Sequence, residues 1–218
     1  MLERIAGFAS IDYGLSKHPD YPNNPGPYLK HPQHVQDICE ALEWLANTHG
    51  VGRLDGTGSH YILMGHSAGA TMAYQIAMGI ITAKVKMPVA AVGIAGIYDI
   101  PYFVEDPLHP DRHDPYRQMI VAAFGDDEEL WRSASPAMRE DLLIHRTSWE
   151  TETAWLFHSS SDELVDPNQS KRMFDLLEKC NLLVEFKVLS RPGEKHDETW
   201  QRGYGLVETI QQVFGKYK

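Results

Sequence analysis

Apolar residues recur at Val35, Ile38, Cys39, Leu42 and Leu45, a spacing of three and four that lines one face of a helix. An amphipathic helix is therefore predicted from about Val35 to Thr48. Shorter apolar runs bounded by turn residues follow a different rule. HYILMG at 60–65, VAAVGIAGIY at 89–98, TAWLFHSS at 153–160 and LVEFKVLS at 183–190 read as buried strands, as does RIAGFASIDYGL at 4–15. Helices are predicted between and after them, in SAGATMAYQIAMGIITA (67–83), NQSKRMFDLLEKC (168–180) and ETWQRGYGLVETIQQVFGKY (198–217). The repeated prolines of SKHPDYPNNPGPYLKHPQ (16–33) forbid regular structure there.

Short apolar strands alternating with helices imply an α/β fold, a mainly parallel sheet with helices on both faces. Residues 1–218 are expected to form one domain, in keeping with the length. Residues 99–146, acidic and interrupted by Pro107, Pro110, Pro115 and Pro136, read as an irregular or helical insertion above the sheet.

Composition narrows the classes of function. The hydrophobic share of 43% is that of an ordinary globular protein, and no apolar run approaches the roughly 20 residues that span a bilayer. The formal charge of −10 argues against nucleic acid, whose phosphates need clustered Lys and Arg. MLERIAGFAS has neither the apolar stretch nor the cleavage site of a secretion signal, so the cytoplasm is the expected location. Cys39 and Cys180 then read as thiols, and the sequon at Asn168 as a chance match. The expected partners are a small-molecule substrate and, at most, a second copy in a homodimer, without membrane or nucleic acid.

The chemistry begins at GHSAG, 65–69, which sits between a predicted strand and a predicted helix. In the G-x-S-x-G elbow small residues let the chain turn sharply and project the serine, here Ser67. The helix that starts there aims unused backbone N–H groups at developing negative charge, with Ala68 N–H as the oxyanion donor. The competing reading is a tight turn without chemistry. A nucleophilic serine needs a base and the base an orienting acid, both placed after later strands of a parallel sheet. Asp162 follows TAWLFHSSS and His196 follows LVEFKVLSRPGEK, in the order serine, acid, histidine. Glu163 and Asp166 are rival acids, and Asp162 has the alternative role of capping its own turn. His66 is expected to pack rather than act as base, and His158 to be a satisfied core histidine. HPDRHD at 109–114 reads as a solvated acidic loop, so no metal site is expected.

GHSAGATMAYQI, GIAGIYDI, HSSSDELV and HDETW together resemble the kynurenine formamidases (arylformamidases) of the α/β-hydrolase fold, especially the fungal type. The resemblance runs from about Gly7 to near the C-terminus. It implies hydrolysis of N-formyl-L-kynurenine to L-kynurenine and formate in tryptophan degradation, without cofactor or metal, through Ser67, Asp162 and His196. A carboxylesterase of the same fold is the nearest competing activity. An aryl formamide calls for an aromatic wall, and Tyr98 at the end of its strand is the candidate, ahead of Tyr102 and Phe103; the competing role for Tyr98 is packing the insertion against the sheet. The family carries an H-G-G-x-W segment whose loop completes the oxyanion hole, and no His-Gly-Gly occurs here. The chain is thus expected to start beyond that strand, and losing one such donor costs about 100- to 1,000-fold in kcat. A catalytically impaired remnant is the corresponding non-enzymatic expectation.

Overall fold

The computed structural model describes residues 5–18, 23, 26, 28–141, 150–189 and 194–216. Helix α1 (Gln33–His49) leads to strand β1 (Ile62–His66), which turns directly into α2 (Ala68–Ala77). Strand β2 (Ala90–Ile94) is followed by α3 (Ile100–Val104), α4 (His113–Phe124) and α5 (Glu128–Ala134), with short 3₁₀ turns at Pro110–Arg112 and Pro136–Met138. Strand β3 (Thr153–Ser159), α6 (Asn168–Lys179), β4 (Val184–Leu189), α7 (Glu198–Gln201) and α8 (Tyr204–Lys216) complete the order.

Among the described residues four strands form one parallel sheet, in the order β1-β2-β3-β4. Successive side chains of a strand point to opposite faces, and the register sorts them into two cores. Ala91, Ala154 and Leu156 face α2 and α6, packing with Ala70, Tyr74, Met173 and Leu177. Leu63, on the same face, packs with Leu42 of α1 and with Met72 and Ile76 of α2. Val92, Ile94, Trp155 and Phe157 face the other way, where Val213 of α8 covers them. The amphipathic face predicted for α1 buries Val35, Ile38, Cys39 and Leu42. Its C-terminus ends on Gly50, whose φ of 73° suits a residue without Cβ.

Several boundaries differ from the sequence reading. Residues 5–15 form no strand; Ile11 and Tyr13 instead pack against the α1 core, and Gly14 N–H donates to Asp37. An apolar run that covers a helix has the same composition as one that pairs in a sheet. Helix α2 stops at Ala77, with Gly79 at φ 72°, well short of the predicted 83. The single closing helix is two, separated at Gly203 with φ 69°. The stretch 99–141 is mostly helical and has its own core around Ile100, Phe103, Tyr116, Ile120 and Trp131. Residues 142–149, 190–193 and most of 19–27 lie outside the described residues, and with them parts of the predicted loop, insertion and approach to His196. Among the described residues no helix is long and apolar enough to cross a membrane.

Candidate active site

All the candidate chemistry lies just beyond the C-terminal ends of the strands, where βα loops leave a parallel sheet. β1 ends at His66, and the next residue, Ser67, has φ 54° and ψ −124°. A non-glycine residue in this sparsely populated region is held there by its surroundings. Ser67 N–H donates to Ile94 O at 2.9 Å, and its carbonyl accepts from Ala70 N–H at 3.0 Å. The turn also needs close approach between strand and helix. A Cβ on Gly65 would lie 2.1 Å from Gly69 O and 2.5 Å from Ala70 N, whereas a Cβ on Gly69 would meet nothing within 4 Å. Of the two elbow glycines, Gly65 is therefore the one the geometry requires. Ala68 opens α2, so its N–H is among the first-turn donors that have no partner inside the helix.

The acid and the base meet across the loops after β3 and β4. His196 Nδ1 and Asp162 Oδ2 are 2.8 Å apart, with both side chains buried. The carboxylate accepts only, so Nδ1 carries the proton and Nε2 is left as the acceptor. Asp162 Oδ1 accepts from Leu164 N–H and Val165 N–H, both at 2.9 Å. Burial alone would raise this carboxyl, but hydrogen bonds from His158 and His196 outweigh it and hold the group well below the ordinary carboxylate range. The turn-capping role and the link to His196 thus coexist, one on each oxygen.

The rival acids have other partners. Glu163 Oε2 accepts from the backbone N–H of His196 at 3.1 Å, so it holds the chain that carries the base without touching the ring. Asp166 accepts from Tyr102 O–H at 2.7 Å and from Asn168. Among the described residues no hydrogen bond joins Ser67 Oγ to the His196 imidazole. Such contacts are often long without substrate and tighten in the Michaelis complex. The connection runs through His66. Its Nε2–H donates to His196 O at 3.0 Å, and the two rings are tilted with centroids 4.6 Å apart. Burial, followed by the neighbouring His196, lowers the pKa of His66 and favours its neutral form.

Two readings from sequence need correction. Tyr98 does not line a pocket mouth: it is fully buried, edge-to-face with Tyr74 at 5.2 Å. Its ring occupies space freed by two glycines, since a Cβ on Gly96 would lie 2.4 Å from Tyr98 Cζ. Glycines 93 and 96 were the sequence signal for a large group packed on that strand. The HPDRHD loop is not simply solvated either. Asp106, 1% exposed, bonds His109 Nδ1 at 2.7 Å, and its carbonyl accepts from His113 Nε2 at 2.8 Å.

The insertion also braces the acid loop. Arg112 donates to Glu163 O at 2.7 Å and Tyr116 to Leu164 O at 2.6 Å. Neither contact was visible in the motifs. Among the described residues one group, His66, His196 and Asp197, has metal-ligand atoms within 4.8 Å of one another. Two of its four ring nitrogens are already committed, to His196 O and to Asp162, which leaves a poor cage for a structural ion.

A family model described as the alpha/beta hydrolase fold matches residues 18–198. The chain is 38% identical over 226 residues to a kynurenine formamidase-like hydrolase of Fusarium equiseti, covering 95% of this chain and 70% of that protein. It is 30% identical over 224 residues to a kynurenine formamidase of Aspergillus versicolor, covering 95% and 74%. Among solved structures, esterase B from Lactobacillus rhamnosis superposes with a TM-score of 0.63 at 15% identity. That match covers 87% of this chain, which spans 62% of the esterase's length. At that identity the likeness speaks for the fold.

Proposed function

Because this chain belongs to the α/β-hydrolase fold family, and within it to the kynurenine formamidase-like hydrolases, we propose that it hydrolyses the formamide of N-formyl-L-kynurenine. In this reading Ser67 is the nucleophile, His196 the base and Asp162 the acid that orients it. The observation that supports it most is the buried Asp162–His196 hydrogen bond beside the strained Ser67 elbow. Neither feature is needed for a simple strand-to-helix turn.

The steps follow from the proton positions. His196 Nε2 removes the Ser67 Oγ proton as Oγ attacks the formyl carbon, and the carbonyl oxygen becomes an oxyanion facing Ala68 N–H. The imidazolium, held at Nδ1 by Asp162, then gives its Nε2 proton to the aniline nitrogen as the C–N bond breaks. L-Kynurenine leaves and Ser67 carries a formyl ester. Water, deprotonated by His196, attacks that ester; the ester C–O bond breaks, Ser67 recovers its proton from His196, and formic acid departs, losing its own proton to solvent as formate. Each proton taken by Nε2 is returned by it, so no cofactor or metal enters the balance.

The test compares release of L-kynurenine from N-formyl-L-kynurenine with hydrolysis of a simple aryl acetate, in wild type and Ser67→Ala. Kynurenine release that disappears in the variant supports the reading. Hydrolysis of the acetate with no release of kynurenine would make the chain an esterase.

A further inference from the structure

The Asp162 carboxylate is shared by two histidines, not one. His158, the penultimate residue of β3 and only 1% exposed, brings Nε2 to 3.2 Å from Asp162 Oδ2, the oxygen that also holds His196. The same Nε2 lies 3.0 Å from Val165 O. Both neighbours are acceptors, so Nε2 carries a proton and divides it between them. On the other side of the ring Nδ1 lies 2.8 Å from Ser170 Oγ, on α6. In neutral imidazole Nδ1 must accept, so the Ser170 hydroxyl donates and fixes the tautomer.

Counting donors shows why this matters. An ionised carboxylate offers about four lone-pair sites. Asp162 fills them with Leu164 N–H and Val165 N–H on Oδ1, and His196 and His158 on Oδ2. A core histidine satisfied by Val165 and Ser170 alone would have no need to face a buried acid. From this arrangement we infer that His158 is a positioning residue for Asp162. It fixes the rotation of the carboxylate so that Oδ2 meets His196, and it limits how strongly that oxygen attracts the His196 proton. The inference rests on the proposed role of Asp162 and His196.

The sign of the effect is determined by the charge. When a donor is removed from Oδ2, its negative charge is less dispersed, and it becomes a stronger acceptor for His196. The imidazolium is then better stabilised, so the His196 ring titrates at higher pH. The other titratable groups around His196 stay in place: His66 against its ring and backbone carbonyl, Glu163 on its backbone N–H, and Asp197 next in sequence. A role confined to packing would lower stability and leave the titration unchanged.

The experiment is histidine-ring NMR on the 218-residue chain, following His196 through pH in wild type, His158→Phe, His158→Gln and Ser170→Ala. His158→Phe should raise the His196 midpoint by about half a pH unit or more, since a hydrogen bond to a charged group is worth more than a neutral one. His158→Gln, whose side-chain amide keeps a donor near the Nε2 position, should titrate close to wild type. Ser170→Ala should move the midpoint in the same direction by a smaller amount, and it decides the matter if His158→Phe does not fold. A midpoint unchanged in both His158→Phe and Ser170→Ala overturns the inference. This readout does not depend on turnover. Covalent labelling of wild-type Ser67 by a fluorophosphonate reports separately on the hydrolase reading.

Discussion

His66 Nε2–H donates to the backbone carbonyl of His196 at 3.0 Å, joining positions 130 residues apart in sequence. The residue preceding the candidate nucleophile thereby supports the residue that would deprotonate it. With Asp162 on the ring and Glu163 on the backbone N–H, His196 is held at three points. Burial favours the neutral form of His66, which keeps a second positive charge away from the His196 ring.

His66→Phe retains a ring against His196 and removes the hydrogen bond. Its kcat should fall by about fivefold with KM nearly constant, since a neutral hydrogen bond contributes roughly 1 kcal/mol. Steady-state kinetics on N-formyl-L-kynurenine measures this. An unchanged kcat would mean that ring packing alone positions the base.

The three neighbouring acids should separate by their partners. Asp162→Asn removes the acceptor that fixes the Nδ1–H tautomer and should cost about 10⁴-fold in kcat. Glu163→Gln retains an acceptor for His196 N–H and should cost tenfold or less. Asp166→Asn affects only the Tyr102 and Asn168 contacts and should stay within a few-fold of wild type. Rate constants for the three variants, with circular dichroism to establish folding, rank them. A greater loss at Asp166 than at Asp162 would reject the assignment.

The elbow glycines should also separate. A Cβ at Gly65 would collide with backbone atoms of Gly69 and Ala70 that cannot move without shifting α2. Gly65→Ala should therefore impair folding or abolish phosphonate labelling of Ser67. Gly69→Ala faces open space within 4 Å and should label at a rate near wild type. Labelling kinetics provides the comparison, and equal losses at the two sites would show that the motif, not the local packing, sets the requirement.

The contrast shows what sequence can carry. Short continuous apolar runs and the helical stripe of α1 are local patterns, so the sheet and its helices were legible, as was the placement of Ser67, Asp162 and His196 after strands. Partnership is not local. Whether Ile11 and Tyr13 pair in a sheet or cover α1, and whether Glu163 meets the ring or the backbone of His196, depends on chain segments far away in sequence. His158 was legible as buried, but its second partner was not.

Tyr98 is the clearest case, and its prediction differs from the one sequence suggests. Its hydroxyl is buried with no hydrogen-bond partner among the described residues, and its ring fills the space over Gly93 and Gly96. A buried hydroxyl without a partner is a cost, so Tyr98→Phe should leave the melting temperature unchanged or raise it. Tyr98→Ala should open a cavity and destabilise by about 3–5 kcal/mol, the usual range for large aromatic truncations. KM for N-formyl-L-kynurenine should not change in Tyr98→Phe. A selective rise in KM there would return Tyr98 to the substrate.

Stability should depend on pH in two separate windows. Burial, reinforced by His34, lowers His31 from an ordinary 6.5 to about 4, and burial lowers His34 and His66 as well. In the folded chain these rings give up protons that the unfolded chain retains. Between about pH 6.5 and 4 the unfolded state therefore binds more protons, and acidification favours it. Asp162 acts lower on the scale. Its folded carboxyl stays ionised where the unfolded one, at its ordinary 3.8, takes up a proton, so a second loss begins near that pH and continues below it. Above pH 7 none of these groups contributes a slope. Melting temperature measured against pH should be flat between about pH 7 and 8, below the range where the unfolded chain would deprotonate the buried Cys39 thiol, decline from 6.5 to 4, and fall again in stronger acid. His31 stacks on Phe124 at 4.8 Å, so His31→Phe keeps an aromatic contact while removing the titrating group. It should make the upper decline shallower, leaving the share of His34 and His66, and leave the lower one, whereas Asp162→Asn should flatten the lower. If the His31→Phe curve runs parallel to wild type from 6.5 to 4, burial of His31 is not what makes the fold acid-sensitive.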